Sequence, residues 1–108
     1  MSVIVIKQMP GFKKAYKKFH SAVKKQINDA IQVIITDPRA GEEKKGDLAG
    51  TYVYKFKVNQ HEMLLAYEWN TKERLLLAIG MHENFYRKLK NKKLKSSNYP
   101  TLTTFATF

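Results

Sequence analysis

The sequence predicts an α+β domain in the order β-α-α-β-β-β-α, with a mainly antiparallel sheet packed against two N-terminal helices. Three observations lead there: a β-branched run near the N-terminus, a stripe of apolar residues recurring every three or four positions, and a later stretch alternating with period two.

The elements follow in order. Val3 to Lys7 has the β-branched content and length of a short strand, ended by Pro10-Gly11. Phe12, Tyr16, Phe19, Val23, Ile27, Ile31 and Ile34 then fall on one helical face with lysines on its flanks. This pattern predicts two antiparallel helices, Gly11–Phe19 and Ser21–Ile35, with Ser21 capping the second. Thr36-Asp37-Pro38 stops that helix, because the residue before a proline is pushed out of the α region. Gly41, Gly46 and Gly50 punctuate a polar loop. Tyr52, Tyr54, Phe56 and Val58 alternate with Val53, Lys55 and Lys57, which predicts a strand with one buried face and one wet, cationic face. Asn59-Gln60 and Asn70-Thr71 read as turns of a meander whose other strands are Met63–Trp69 and Leu75–Ile79. Gly80 closes the sheet, and His82 to Leu94 reads as a basic helix with Phe85 and Leu89 on its apolar side. Residues 1–95 form one predicted domain and 96–108 a tail.

The chain has 108 residues, 20 Lys+Arg against 9 Asp+Glu, a formal charge of +11 and no cysteine. That composition excludes a disulfide scaffold, a thiolate metal site and a thiol nucleophile. The histidines show no HxH or HxxxH spacing, so neither a metal nor another cofactor is expected. Val3 to Ile6 is cut short by Lys7, and no apolar run approaches the ~18 residues of a bilayer span, so the expectation is a cytoplasmic protein without a membrane partner. The charge is segregated. Seven lysines precede the first carboxylate, Asp29, and six basic residues lie between Phe85 and Lys95 without an acid. Two positive surfaces of this kind favour polyanions or acidic protein segments.

Lys55 and Lys57 are two apart on a strand and project from the same face, roughly 7 Å apart. Such a pair suits a phosphate, although lysines on a solvent-facing strand also serve to discourage edge pairing. Beyond the last glycine, His82 and Tyr86 are four apart on the predicted helix, as are Glu83 and Arg87. Histidine can move a proton near neutral pH, tyrosine can donate one and arginine can clamp a phosphate. The same residues also describe an ordinary helix start with a salt-bridged pair. His20, at a helix join, and His61, beside a turn, read as surface or capping residues.

The run from Asp37 to Gly50 (DPRAGEEKKGDLAG), followed by Tyr52-Val53-Tyr54-Lys55-Phe56-Lys57, Leu64-Leu65-Ala66-Tyr67 and Ala78 to Tyr86, resembles the RelE/ParE superfamily of bacterial type II toxins. The resemblance implies a RelE-like fold, a cognate antitoxin that wraps and silences the toxin, and, for RelE-like members, metal-independent cleavage of mRNA on the ribosome. It places Lys55 and Lys57 on the strand facing RNA, and His82, Tyr86 and Arg87 in proton transfer and phosphate stabilisation. One departure stands out. RelE-like nucleases carry Arg-Leu-x-Tyr on the middle strand, whereas this chain has Leu64-Leu65-Ala66-Tyr67. The resemblance therefore leaves three readings: an mRNA endoribonuclease, a ParE-like inhibitor of DNA gyrase without nuclease chemistry, or a weak toxin that retains antitoxin binding. The nuclease reading expects Lys55 and Lys57 to converge with the residues that open the last helix.

Overall fold

The computed structural model describes residues 4–81. The predicted last helix with His82, Tyr86 and Arg87, and the tail after Lys95, lie outside the described residues.

Strand β1 (Val5–Gln8) leads into helices α1 (Pro10–Lys17) and α2 (Ser21–Thr36), then a short strand β2 (Glu42–Glu43) and the meander β3 (Tyr52–Val58), β4 (His61–Trp69) and β5 (Glu73–Met81). Among the described residues the sheet has five strands in the order β1-β5-β4-β3-β2. Only β1 and β5 run parallel; the other pairs are antiparallel. The predicted α+β architecture is therefore correct, with two additions. One is β2 and two single-turn 3-10 segments (Pro38–Ala40 and Gly46–Leu48) inside the expected loop. The other is the position of β1 beside the last strand.

The helices begin and end where local chemistry dictates. Pro10 does not merely stop β1: it occupies the first turn of α1, where its missing N–H removes nothing from the helix. Lys18 closes α1 with its N–H donated to the Ala15 carbonyl (3.1 Å), and the chain turns at once into α2. His20 rather than Ser21 holds the N-cap position of α2, and its side chain makes no capping hydrogen bond. The hairpin is tied across by the Tyr16 hydroxyl, which donates to Asn28 Oδ1 (2.7 Å), and Phe12 stacks on Tyr16 at 5.9 Å.

The helical stripe covers one face of the sheet. Ile6, Phe12, Ile27, Ile31, Ile34, Met63, Leu65, Tyr67 and Leu76 are at most 2% exposed there. Each large apolar side chain so buried contributes on the order of 1.5–3 kcal/mol. The opposite face is not uniformly wet. Val53, Leu64, Ala66, Leu77 and Ala78 form a second buried cluster with Leu48, so the expected cationic face of β3 is half right: Lys55 and Lys57 are exposed and Val53 is buried.

A bulge makes both clusters possible. Ala66 pairs with Ala78 but Tyr67 pairs with Leu76, leaving Leu77 as an extra residue on β5. Leu76 and Ile79, three apart, can thus both serve the helix-side core. Strict alternation would have turned one of them away.

The β3–β4 hairpin is joined by two residues, Asn59 (φ 51°) and Gln60 (φ 72°), both left-handed as a type I′ turn requires. Asparagine tolerates this region, whereas glutamine gains no compensating local hydrogen bond. Gln60→Gly is expected to stabilise the domain by about 0.5–1 kcal/mol, read as a higher urea midpoint at unchanged slope.

Candidate functional site

Lys55 and Lys57 lie on the sheet face opposite the helices, toward the outer end of β3, and both side chains are exposed. Strand register supplies their neighbours. Lys55 pairs with Leu64, which pairs with Gly80, so one row across three strands reads lysine, leucine, glycine. At about 4.8 Å per strand, Gly80 is roughly 10 Å from Lys55. The next row pairs Lys57 with Glu62. On the other flank, Glu42 pairs with Val53 and is a diagonal neighbour of Lys55. Its carboxyl is held below the usual carboxylate range by the Lys44 ammonium, which donates to it at 2.6 Å, and secondarily by Lys55. The face is thus a cationic stripe edged by two glutamates.

Leu64 is wholly buried within this stripe. No described residue places a guanidinium beside Lys55 in this row. Of the five predicted site residues, the described structure places Lys55 and Lys57 together on one face; His82, Tyr86 and Arg87 lie outside it. Among the described residues there is no group of three or more His, Cys, Asp or Glu side chains able to hold a metal ion. No described helix is long and apolar enough to cross a membrane.

Two interior residues hold the frame of the site: Tyr67, which closes the Leu64-Leu65-Ala66-Tyr67 run, and Arg74, which no sequence pattern singled out. Tyr67 donates its hydroxyl proton to the Pro38 carbonyl (2.6 Å) and accepts from the Gly41 N–H (3.0 Å), pinning the segment before β2 to the sheet. Gly41 has to be glycine at this contact: a Cβ there would lie 2.7 Å from the Tyr67 hydroxyl and 3.0 Å from the Val53 backbone. Burial pushes the Tyr67 phenol up to about 12. Arg74, only 3% exposed, donates from Nε to the Ile34 carbonyl and from Nη2 to Ile35 (both 2.9 Å), and from Nη1 to Asn70 (2.7 Å) and Glu73 (3.0 Å). Two of these carbonyls belong to the last turn of α2, which otherwise ends with unsatisfied acceptors. Arg74 also lies 5.8 Å from the Trp69 ring centre, and Arg39 lies 5.6 Å from it. The signal for Arg74 was a lone arginine beginning an apolar strand.

A two-helix layer on one sheet face and a lysine stripe on the other define a small α+β domain of the RelE/ParE type. The family model described as ParE-like toxin of type II bacterial toxin–antitoxin system matches residues 6–90, and the chain belongs to that family. Solved structures agree on the fold. The intact E. coli RelBE toxin–antitoxin complex contains a chain 19% identical, with a TM-score of 0.59 over 76% of this chain and 99% of that one. A mutant of E. coli toxin RelE in the free state is 16% identical, with a TM-score of 0.65 over 91% of this chain and 100% of that one. The YoeB/ParE toxin from Agrobacterium tumefaciens is 19% identical, with a TM-score of 0.56 over 76% and 99%. No curated protein matches the sequence significantly.

Proposed function

We propose that this protein is the toxin of a type II module and acts by binding its target, with DNA gyrase as that target, rather than by cutting RNA. The observation supporting this reading is Leu64. Its fully buried side chain fills the position beside Lys55 where RelE-like nucleases carry arginine, and a leucine offers no charge to a phosphorane. The match to the ParE-like family model points the same way. A formal charge of +11 calls for an acidic cognate antitoxin as the resident partner.

A second reading, a metal-independent mRNA endoribonuclease on the ribosome, is favoured by a different observation. Lys55 and Lys57 are exposed on one face, and the row from Lys55 ends at Gly80, two residues before His82. In that reaction the 2′-oxygen attacks its own phosphorus as a base takes its proton. The P–O5′ bond breaks and an acid protonates the leaving oxygen, giving a 2′,3′-cyclic phosphate and a 5′-hydroxyl. The lysines would neutralise the phosphate, and His82, Tyr86 and Arg87 would move the protons and brace the charge.

Two assays on the purified full-length chain separate the readings. The gyrase reading expects loss of plasmid supercoiling at micromolar protein, together with intact message on translating ribosomes in primer-extension maps. Unimpaired supercoiling combined with cuts inside codons that disappear in Lys55→Ala/Lys57→Ala would replace it with the nuclease.

A further inference from the structure

The first of the two positive surfaces lies on the helical hairpin, on the other side of the sheet from Lys55 and Lys57. Phe12, Tyr16 and Phe19 turn α1 toward the core, so Lys13, Lys14, Lys17 and Lys18 emerge on its outer side, all four exposed. Lys25 emerges on the outer side of α2, two residues before the wholly buried Ile27. No carboxylate precedes Asp29 in the chain, and among the described residues none pairs with Lys14, Lys17, Lys18 or Lys25. The first turn of α2 holds no acid either, so the positive end of its dipole adds to the same hairpin tip.

This arrangement is unfavourable for the chain alone. Lys13 and Lys17 are four apart, as are Lys14 and Lys18, which sets each pair about 6 Å apart along the axis. Like charges at that spacing oppose helix formation. A regular row of anions laid against the hairpin relieves the repulsion.

The surroundings of these lysines select among polyanions. A membrane surface calls for large apolar side chains beside the cations. The two that are exposed among the described residues are elsewhere: Val33 lines a groove between α2 and β3, and Met81 ends β5. Single-stranded nucleic acid calls for aromatic faces on which bases stack. The hairpin offers none: Phe12 is 1% exposed, Phe19 packs against the core, and Tyr16 has the Lys24 ammonium 5.5 Å from its ring centre and its hydroxyl bonded to Asn28. A protein interface favours aromatic residues and arginine over lysine. Every cation here is a lysine, a point charge without the arginine fork, which suits phosphate contacts that carry no sequence information. A duplex backbone meets all of these conditions.

We infer that the outer face of the α1–α2 hairpin, centred on Lys14, Lys17 and Lys25, binds the phosphate backbone of duplex DNA without reading its sequence. The choice of DNA over duplex RNA rests on the gyrase reading, since that enzyme works on duplex DNA; the cationic face itself does not depend on it. The hairpin is a second contact, separate from the lysine stripe, and holds the toxin on the DNA where its target acts.

The test measures binding of the full-length protein to a fluorescent 20-base-pair DNA duplex by anisotropy. Gyrase is absent, so the result is independent of the supercoiling assay. Lys14→Gln/Lys17→Gln is compared with Lys45→Gln/Lys72→Gln, which removes the same charge from exposed positions outside the hairpin. Micromolar binding is expected near 100 mM salt, weakened about tenfold in the hairpin variant with a log–log salt slope shallower by about 2, and changed less than about twofold in the control. Equal losses in the two variants would make the effect one of net charge and overturn the inference. So would tighter binding of the matching RNA duplex, of a 20-nucleotide single strand, of polyglutamate or of anionic phospholipid vesicles. Should the hairpin variant fail to fold, lysine acetylation of the unaltered protein decides. DNA is expected to slow it about fivefold or more at Lys14 and Lys17 and to leave Lys45 and Lys72 unchanged, whereas uniform protection, or none, overturns the assignment.

Discussion

Arg74→Met is expected to destabilise the domain by about 3–5 kcal/mol, enough to leave much of it unfolded near body temperature. Among the described residues no carboxylate pairs with the buried guanidinium, and burial lowers its pKa from the usual value, yet an arginine stays ionised at neutral pH. Carbonyl dipoles hold its charge instead. Ile34 and Ile35 supply the negative end of α2, and Asn70 and Glu73 supply the turn into β5. Methionine of similar length fills the space but leaves four acceptors without this donor, two of them at a helix end packed on the sheet. Arg74→Lys should recover only part of the loss, because one ammonium cannot reach carbonyls spread around a planar fork. Urea unfolding followed by circular dichroism measures both. A loss below about 1 kcal/mol for Arg74→Met would mean that water replaces the arginine at the helix end.

Tyr67→Phe is expected to lower stability by about 1–3 kcal/mol at neutral pH, since it strands the buried Gly41 N–H and removes a donor from the Pro38 carbonyl. The same hydroxyl makes stability fall in alkali. Its pKa is near 10 in the unfolded chain and about 12 in the fold, chiefly through burial. The native state therefore keeps the proton longer, the contribution is fully present below pH 10, and it is lost as pH rises from 10 toward 12. The full loss is about 2–3 kcal/mol, converted at 1.36 kcal/mol per pKa unit. Lysines titrate in the same range, so the informative quantity is the difference between the wild type and Tyr67→Phe. That difference should shrink between pH 9 and 11.5; if it stays constant, the phenol does not titrate differently in the two states.

The lysine pair of the candidate site was legible from residue order, whereas His82, Tyr86 and Arg87 lie outside the described residues. The two-residue spacing placed Lys55 and Lys57 on one face, and both are exposed. The alternation in β3 also promised a wet face at Val53, and that failed because Leu48 from the preceding loop and Leu64 and Ala66 from the neighbouring strand cover it. Register placed Gly80 in the lysine row, which no local pattern encodes, since it depends on where the β4–β5 bulge falls.

Local physics along the chain determined the helices, the turns and the positive charge, because periodicity, proline geometry and side-chain ionisation act between residues a few positions apart. The parallel seating of β1 against β5, the arginine held by a helix 40 residues earlier in the chain and the tyrosine pin at Gly41 were decided only by tertiary structure. Each joins groups that become neighbours only after the chain has closed long loops and left water. Their energies arise from that juxtaposition, which no stretch of residues carries alone.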